Sequence, residues 1–232
     1  MAIPSRIRVS VIGASEINAR RLQKYLSRAA GVVKLIKVES VSIIPHPENG
    51  SEYGPGELIK HIGEERGVDY EVILTAHKLK GNFFGWFYDK SKEILVTTYE
   101  LDYICEIVNI ELEIGISYVI VEGVVTRHFI EMGGDPERLF VDPPEGAPFD
   151  FCGNKMDARF LIENPTLTNR VKHELQSVGI SNEIISSIDR SFRNLRPSKI
   201  DKVRRILSEK LADILIGVVL GSFFTFLGMS FG

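Results

Sequence analysis

From Arg6 to Ile12 polar and apolar residues alternate (Arg-Ile-Arg-Val-Ser-Val-Ile), which predicts a first strand with one buried face. Ser15 reads as the N-cap of a helix through Ala30, turning Ile17, Leu22, Tyr25 and Leu26 inward. Val33 to Ile44 predicts a second strand. Pro45 to Gly56, with three prolines and three glycines, predicts a loop, followed by a short helix to Gly67. Asp69 to Thr75 and Ile94 to Thr98 predict two more strands, separated by the aromatic run Phe83, Phe84, Trp86, Phe87 and Tyr88. Leu101 to Met132 is the longest periodic block and predicts one long central helix. Gly133 to Asn164 turns to Gly, Pro and Asp, a long irregular segment of the kind that often carries function. Thr168 to Val178 and Asn182 to Leu195 predict two closing helices. Pro197 suits the first turn of a third.

The end of the chain breaks this pattern. Ile214 to Phe231 are eighteen residues without a charge, eleven of them Leu, Ile, Val or Phe. As a helix they would reach about 27 Å, near the thickness of a bilayer's hydrocarbon core. Apolar residues cover the whole circumference, so the segment predicts a transmembrane helix, with a fully buried soluble helix as the alternative. Gly217 and Gly221 have the GxxxG spacing that lets two helices approach closely, and predict oligomerisation there.

Charge sharpens the picture. Arg190 to Lys210 holds eight basic residues against two acids, within a chain whose net charge is −3. A basic stem before an apolar tail predicts a cytoplasmic N-terminal domain and a single pass through the cell inner membrane. The chain divides into an α/β domain over 1–195, a basic juxtamembrane helix over 196–213 and a membrane helix over 214–231. The acidic balance of the first domain argues against a nucleic-acid partner. Two cysteines, Cys105 and Cys152, give neither a disulfide framework nor a CxxC knuckle.

Catalytic motifs are sparse. Gly13-Ala14-Ser15 lacks the glycine pattern of a phosphate loop and reads as an ordinary strand–helix turn. No two of His46, His61, His77, His128 and His173 stand four apart, so no helix face pairs them on a metal. A zinc site from His77, His128, Cys152 or His173 would require the fold to gather them. Glu111 and Glu113, two apart, do not form a carboxylate pair on a helix. The most unusual string is Asp150-Phe-Cys152-Gly-Asn154-Lys155-Met-Asp157. Asp150, Cys152, Asn154, Lys155 and Asp157 are candidate ligand contacts, against the alternative of a buried turn fixed by Lys155 and Asp157.

The order of elements, the string Val96-Thr97-Thr98-Tyr99-Glu100-Leu101, the long central helix and the later Asp–Lys string together resemble the archaemetzincin-type proteases over about Arg6 to Leu175. The resemblance implies a zincin-like fold of mixed sheet and central helix. It also implies an HExxH zinc motif on that helix and a CxxC for a second zinc. Here Ile110-Glu111-Leu112-Glu113-Ile114 stands near the first place and Thr168 with Val171 at the second, without a histidine or cysteine among them. Aliphatic side chains offer zinc no lone pair. The expectation is therefore a non-enzymatic zincin-like domain without metal or cofactor, held to the lipid bilayer and forming a homo-oligomer. It would bind a cytoplasmic ligand or protein partner. A small sensor on an oligomerising membrane helix resembles bacterial defence effectors that permeabilise the inner membrane. The alternatives are a zincin-like metallopeptidase with an unrecognised site and a tail-anchored adaptor.

Overall fold

A computed structural model of the chain describes residues 4–13, 16–41, 52–60, 62, 66–81, 83–87, 92–140, 147–149, 155–163 and 165–196. They belong to one compact unit, Met1–Arg196; the second unit, Pro197–Gly232, lies outside the described residues. So do the basic stem after Arg196, the uncharged tail with Gly217 and Gly221, and the expected N-cap Ser15.

Five strands form a mixed sheet in the order β2-β1-β3-β5-β4: β1 (Ser5–Ile12), β2 (Val33–Val41), β3 (Tyr70–Thr75), β4 (Gly85–Trp86) and β5 (Glu93–Thr97). β1 runs parallel to β2 and β3, and β3 parallel to β5, while the short edge strand β4 is antiparallel to β5. Period-two alternation sorts the residues. Ile7, Val9 and Val11 of β1, with Val72, Leu74, Ile94 and Val96, face the main core. Ile12, Ile73 and Leu95 face a second, smaller core with Tyr53, Leu58 and Leu79. Helix α1 (Ala19–Arg28) packs on the first face, and Leu58 of α2 (Pro55–Ile59) on the second. Right-handed crossovers require this, because the chain leaves β1 toward β2 and returns past it to β3.

The second face also carries charge. Arg8 donates from Nε to both Glu71 oxygens at 2.8 and 2.6 Å, and Ser10 donates to Glu71 at 2.8 Å. Arg8 also pairs with Glu39 at 3.2 Å. Arg8 and Glu71 are both buried, so this network joins the three parallel strands β2, β1 and β3 where water cannot replace it.

The expected central helix is two helices, α3 (Leu101–Ile107) and α4 (Leu112–Glu131). Asn109 sits at φ 54°, its N–H donates to Glu106 O at 3.0 Å, and Ile110 N–H donates to Cys105 O at 2.9 Å. This is a Schellman ending with asparagine in the left-handed position, and an apolar Ile110 behind it conceals the stop. α4 is buried from Glu113 to Ile130 on all sides, between the sheet and the helices α1, α3 and α8 (Asn182–Leu195). Gly123 lets it sit close, since a Cβ there would lie 2.9 Å from Ile94 and 3.2 Å from Phe87. Among the described residues no helix is long and apolar enough to cross a membrane.

Other departures are smaller. The α1 cap is Asn18, whose side chain accepts from Arg20 and Arg21 N–H. The aromatic run supplies β4, and the expected loop gives way to α2 at Pro55. The irregular stretch holds α5 (Pro136–Leu139), a 3₁₀ turn at Lys155–Asp157 and α6 (Ala158–Glu163). α7 (Asn169–Ser177) and α8 match the two expected closing helices and begin on the caps Thr168 and Ser181.

Removing Glu71 leaves Arg8 buried with only part of its compensation. Glu71→Ala should cost about 3 kcal/mol of unfolding free energy in urea at neutral pH, the low end for a broken buried pair because Glu39 remains. Burial pushes the His128 imidazole on α4 below its ordinary value of 6.5. The unfolded chain therefore takes up a proton that the folded chain refuses. Its contribution is present above about pH 6.5 and is lost as pH falls toward the folded value. His128→Gln should flatten the decline in Tm between pH 7 and 5; an unchanged slope would contradict this.

Candidate functional site

The strand order turns back at β1, so the carboxyl ends of the parallel strands β1 and β3 form the switch point where open parallel sheets most often bind ligands. Polar side chains gather there. Thr98 Oγ1 donates to Glu16 at 2.9 Å, and Thr97 Oγ1 donates to the His77 carbonyl at 2.6 Å while accepting from Tyr99 N–H at 3.0 Å. The His77 ring packs against Tyr53 with centroids 4.7 Å apart. Its Nε2 is buried without a hydrogen-bond partner among the described residues, and burial lowers its pKa. Lys78 pairs with Glu52 at 2.6 Å.

Lys155 is the centre of this group. It is 8% exposed, and its ammonium lies 3.1 Å from Tyr99 O and 3.4 Å from Glu100. It also sits over the Phe84 ring at 4.5 Å and the Tyr99 ring at 5.1 Å. Burial lowers its pKa; the carboxylate of Glu100 opposes that shift, and the like charge of Lys78 adds to it. Glu100 holds a left-handed φ of 65° in the turn between β5 and α3, a conformation a non-glycine residue keeps only when its surroundings enforce it. Of the five residues singled out in the sequence, Lys155 reaches this group and Asp157 is half-buried beside it in the chain. Asp150, Cys152 and Asn154 lie outside the described residues. Glu16, His77, Lys78 and Glu100 carry no local motif; only their places at strand ends mark them.

A second group lies on α4. Phe149 N–H donates to Glu122 Oε1 at 2.8 Å inside the core. Phe149 has φ 69°, and its fully buried ring meets Phe140 and Phe192 edge-on at 5.9 and 5.8 Å. A zincin helix needs histidines one before and three after its glutamate. About Glu122 those places are Val121 and Val125; about Glu113 they are Leu112 and Ile116. Ile110 and Glu111, where the sequence comparison begins, precede the helix. His173-Glu174 on α7 offers an HE pair, but Ser177 stands where the second histidine would. His173 faces solvent, and Glu174 is tied to Arg138 at 3.0 Å. Among the described residues no three His, Cys, Asp or Glu side chains converge to hold an ion. These donors do not fit a zincin zinc.

No family model matches the chain, and no curated protein does. Solved structures do. A zinc-dependent peptidase from Methanocorpusculum labreanum has TM-score 0.46 at 16% identity, over 73% of this chain and 99% of that one. Archaemetzincin from Archaeoglobus fulgidus has TM-score 0.40 at 14% identity, over 78% and 99%. Archaemetzincin from Methanopyrus kandleri has TM-score 0.50 at 18% identity, over 76% of this chain and 96% of that one. That last likeness shows the architecture: a mixed α/β domain with a zincin-like fold.

Proposed function

We propose that this chain is a zincin-like domain turned from peptide hydrolysis to binding. It is a sensor or effector whose ligand site lies around Lys155 and whose uncharged C-terminal segment anchors it in a membrane. The observation that carries the reading is the fate of Glu122. In a zinc peptidase the glutamate of the central helix is a general base facing a metal-bound water. Here Glu122, at the middle of α4, accepts from the Phe149 backbone N–H, and Val121 and Val125 stand where the histidines of such a motif would flank it. A carboxylate serving as a structural acceptor between valines supports a scaffold role.

The chemistry around Lys155 supports binding. Lys155 presents a cation in a poorly solvated setting beside two aromatic rings, with Lys78 nearby. A small molecule with an anionic group and a flat apolar part would suit both. The membrane part of the reading rests on the eighteen uncharged residues after Asp213 and the basic stem before them. Clustering of those tails through Gly217 and Gly221 would couple occupancy of the domain to the bilayer.

Three outcomes test the reading. Purified full-length chain should carry far less than one equivalent of zinc by elemental analysis; a stoichiometric amount would overturn it. Glu122→Gln keeps an acceptor for Phe149 and should leave Tm nearly unchanged, while Glu122→Ala should lose about 1–3 kcal/mol. Induction of the full chain should depolarise host cells, and a version ending at Leu207 should not. Equal behaviour of the two would leave an adaptor that docks a partner without altering conductance.

A further inference from the structure

α3 buries Leu101, Ile104 and Cys105 in the core. Tyr103 and Ile107, four apart, share its outer face. They are 58% and 44% exposed, and Tyr103 is the most exposed large hydrophobic side chain among the described residues. Asp102 and Glu106 flank them and are exposed as well. The sequence holds no Lys or Arg between Lys92 and Arg127, so nothing on α3 offsets those acids. Its outer face is apolar and acidic at once.

α1 presents the opposite charge. Arg20, Arg21 and Lys24 are exposed on it, and the helix carries no acid. Both helices border the first turn of α4. Asn18 N–H, at the start of α1, donates to Glu113 at 2.9 Å, and the Tyr25 hydroxyl donates to Glu111 at 2.9 Å. Glu111 stands just after α3, and the exposed Arg21 pairs with it at 3.8 Å. The basic face of α1 and the acidic face of α3 adjoin across that ion pair. A surface basic on one side and acidic on the other complements itself when turned about a two-fold axis through its border.

We infer that this surface is an interface for a second copy of the chain, with α1 of each protomer lying on α3 of the other. The two-fold sets Arg20 and Arg21 of one copy against Asp102 and Glu106 of the next, and does so twice in each dimer. Arginine packs its methylenes on apolar surface and its charge over an aromatic ring, so the same side chains cover Tyr103 and Ile107. Helices of ten and seven residues make short contacts, which puts the pair at the low end of interface sizes, about 1,200 Å². The dimer is weak and sensitive to salt, because its charges stay near water. This pairing is separate from binding at Lys155 and from clustering of the tails through Gly217 and Gly221.

The test reads self-association of the full-length chain in detergent micelles by analytical ultracentrifugation at low salt. Every chain carries Gly217→Ile and Gly221→Ile, so that pairing of the tails is reduced equally throughout. The parent chain should dimerise, and added salt should dissociate it. Arg20→Glu with Arg21→Glu sets acid against acid in both contacts, and Asp102→Lys with Glu106→Lys sets base against base. Each of these two chains should self-associate about tenfold more weakly than the parent. An equimolar mixture of them should dimerise again, because both contacts then join opposite charges. Tail pairing is common to every chain and cannot give that pattern. Tyr103→Ala keeps every charge and should also weaken the dimer about tenfold. Circular dichroism confirms that each variant is folded. A monomeric parent at low salt would overturn the interface, as would charge-reversed chains that pair like the parent or a mixture that fails to recover.

Discussion

A carboxylate placed in a helix that is buried on every side must find donors inside the protein, and Glu122 finds one in the N–H of Phe149. Much of the helical layer follows from that bond. It draws the chain back across α4 after α5 and keeps Phe149 at its left-handed φ. It also sets the Phe149 ring between Phe140 and Phe192. α8 is packed through that same Phe192, which meets Tyr118 of α4 at 5.0 Å.

Parts of this were written plainly in the sequence. Alternation located β1 and short apolar runs located β3 and β5, but the strand expected to have one buried face is covered on both, with Arg8 and Ser10 buried beside Glu71. The last two helices stand out in the sequence, and the structure adds their caps Thr168 and Ser181, whose hydroxyls accept from N–H groups three residues on. The break at Asn109 was hidden. Apolar periodicity runs through it, and only the left-handed asparagine with a branched residue after it carries the signal. β4 was hidden for a different reason: two residues paired to β5 make no period, and Gly85 is there because a Cβ would press within 2.3 Å of Phe87.

The site was less legible than the fold. Lys155 stood out as a cation within an odd string, yet its partners Tyr99 and Glu100 lie more than fifty positions earlier and are brought to it only by the packed sheet. Lys78 looks like an ordinary loop residue, and His77, a candidate zinc ligand in the sequence, stands instead just past the carboxyl end of β3. Glu122 shows the converse. Its flanking valines could be read directly, but the helix register that makes them the relevant pair depends on where α3 stops.

Under the proposed reading, binding in the domain must reach the tail through parts that have more than one stable arrangement, because a ligand shifts an equilibrium only by binding its states unequally. The tightly packed strands β1, β3 and β5 are poor candidates, since the Arg8–Glu71 network would have to lose its hydrogen bonds to move. The chain from Glu122 through Phe149 and Phe192 is better suited. It contains a strained backbone residue and rings that can exchange partners, and it ends on α8, the last helix before the basic stem. A ligand near Lys155 acts on the turn leading into α3, and α4, in contact with α1, α3 and α8 alike, joins that turn to α8.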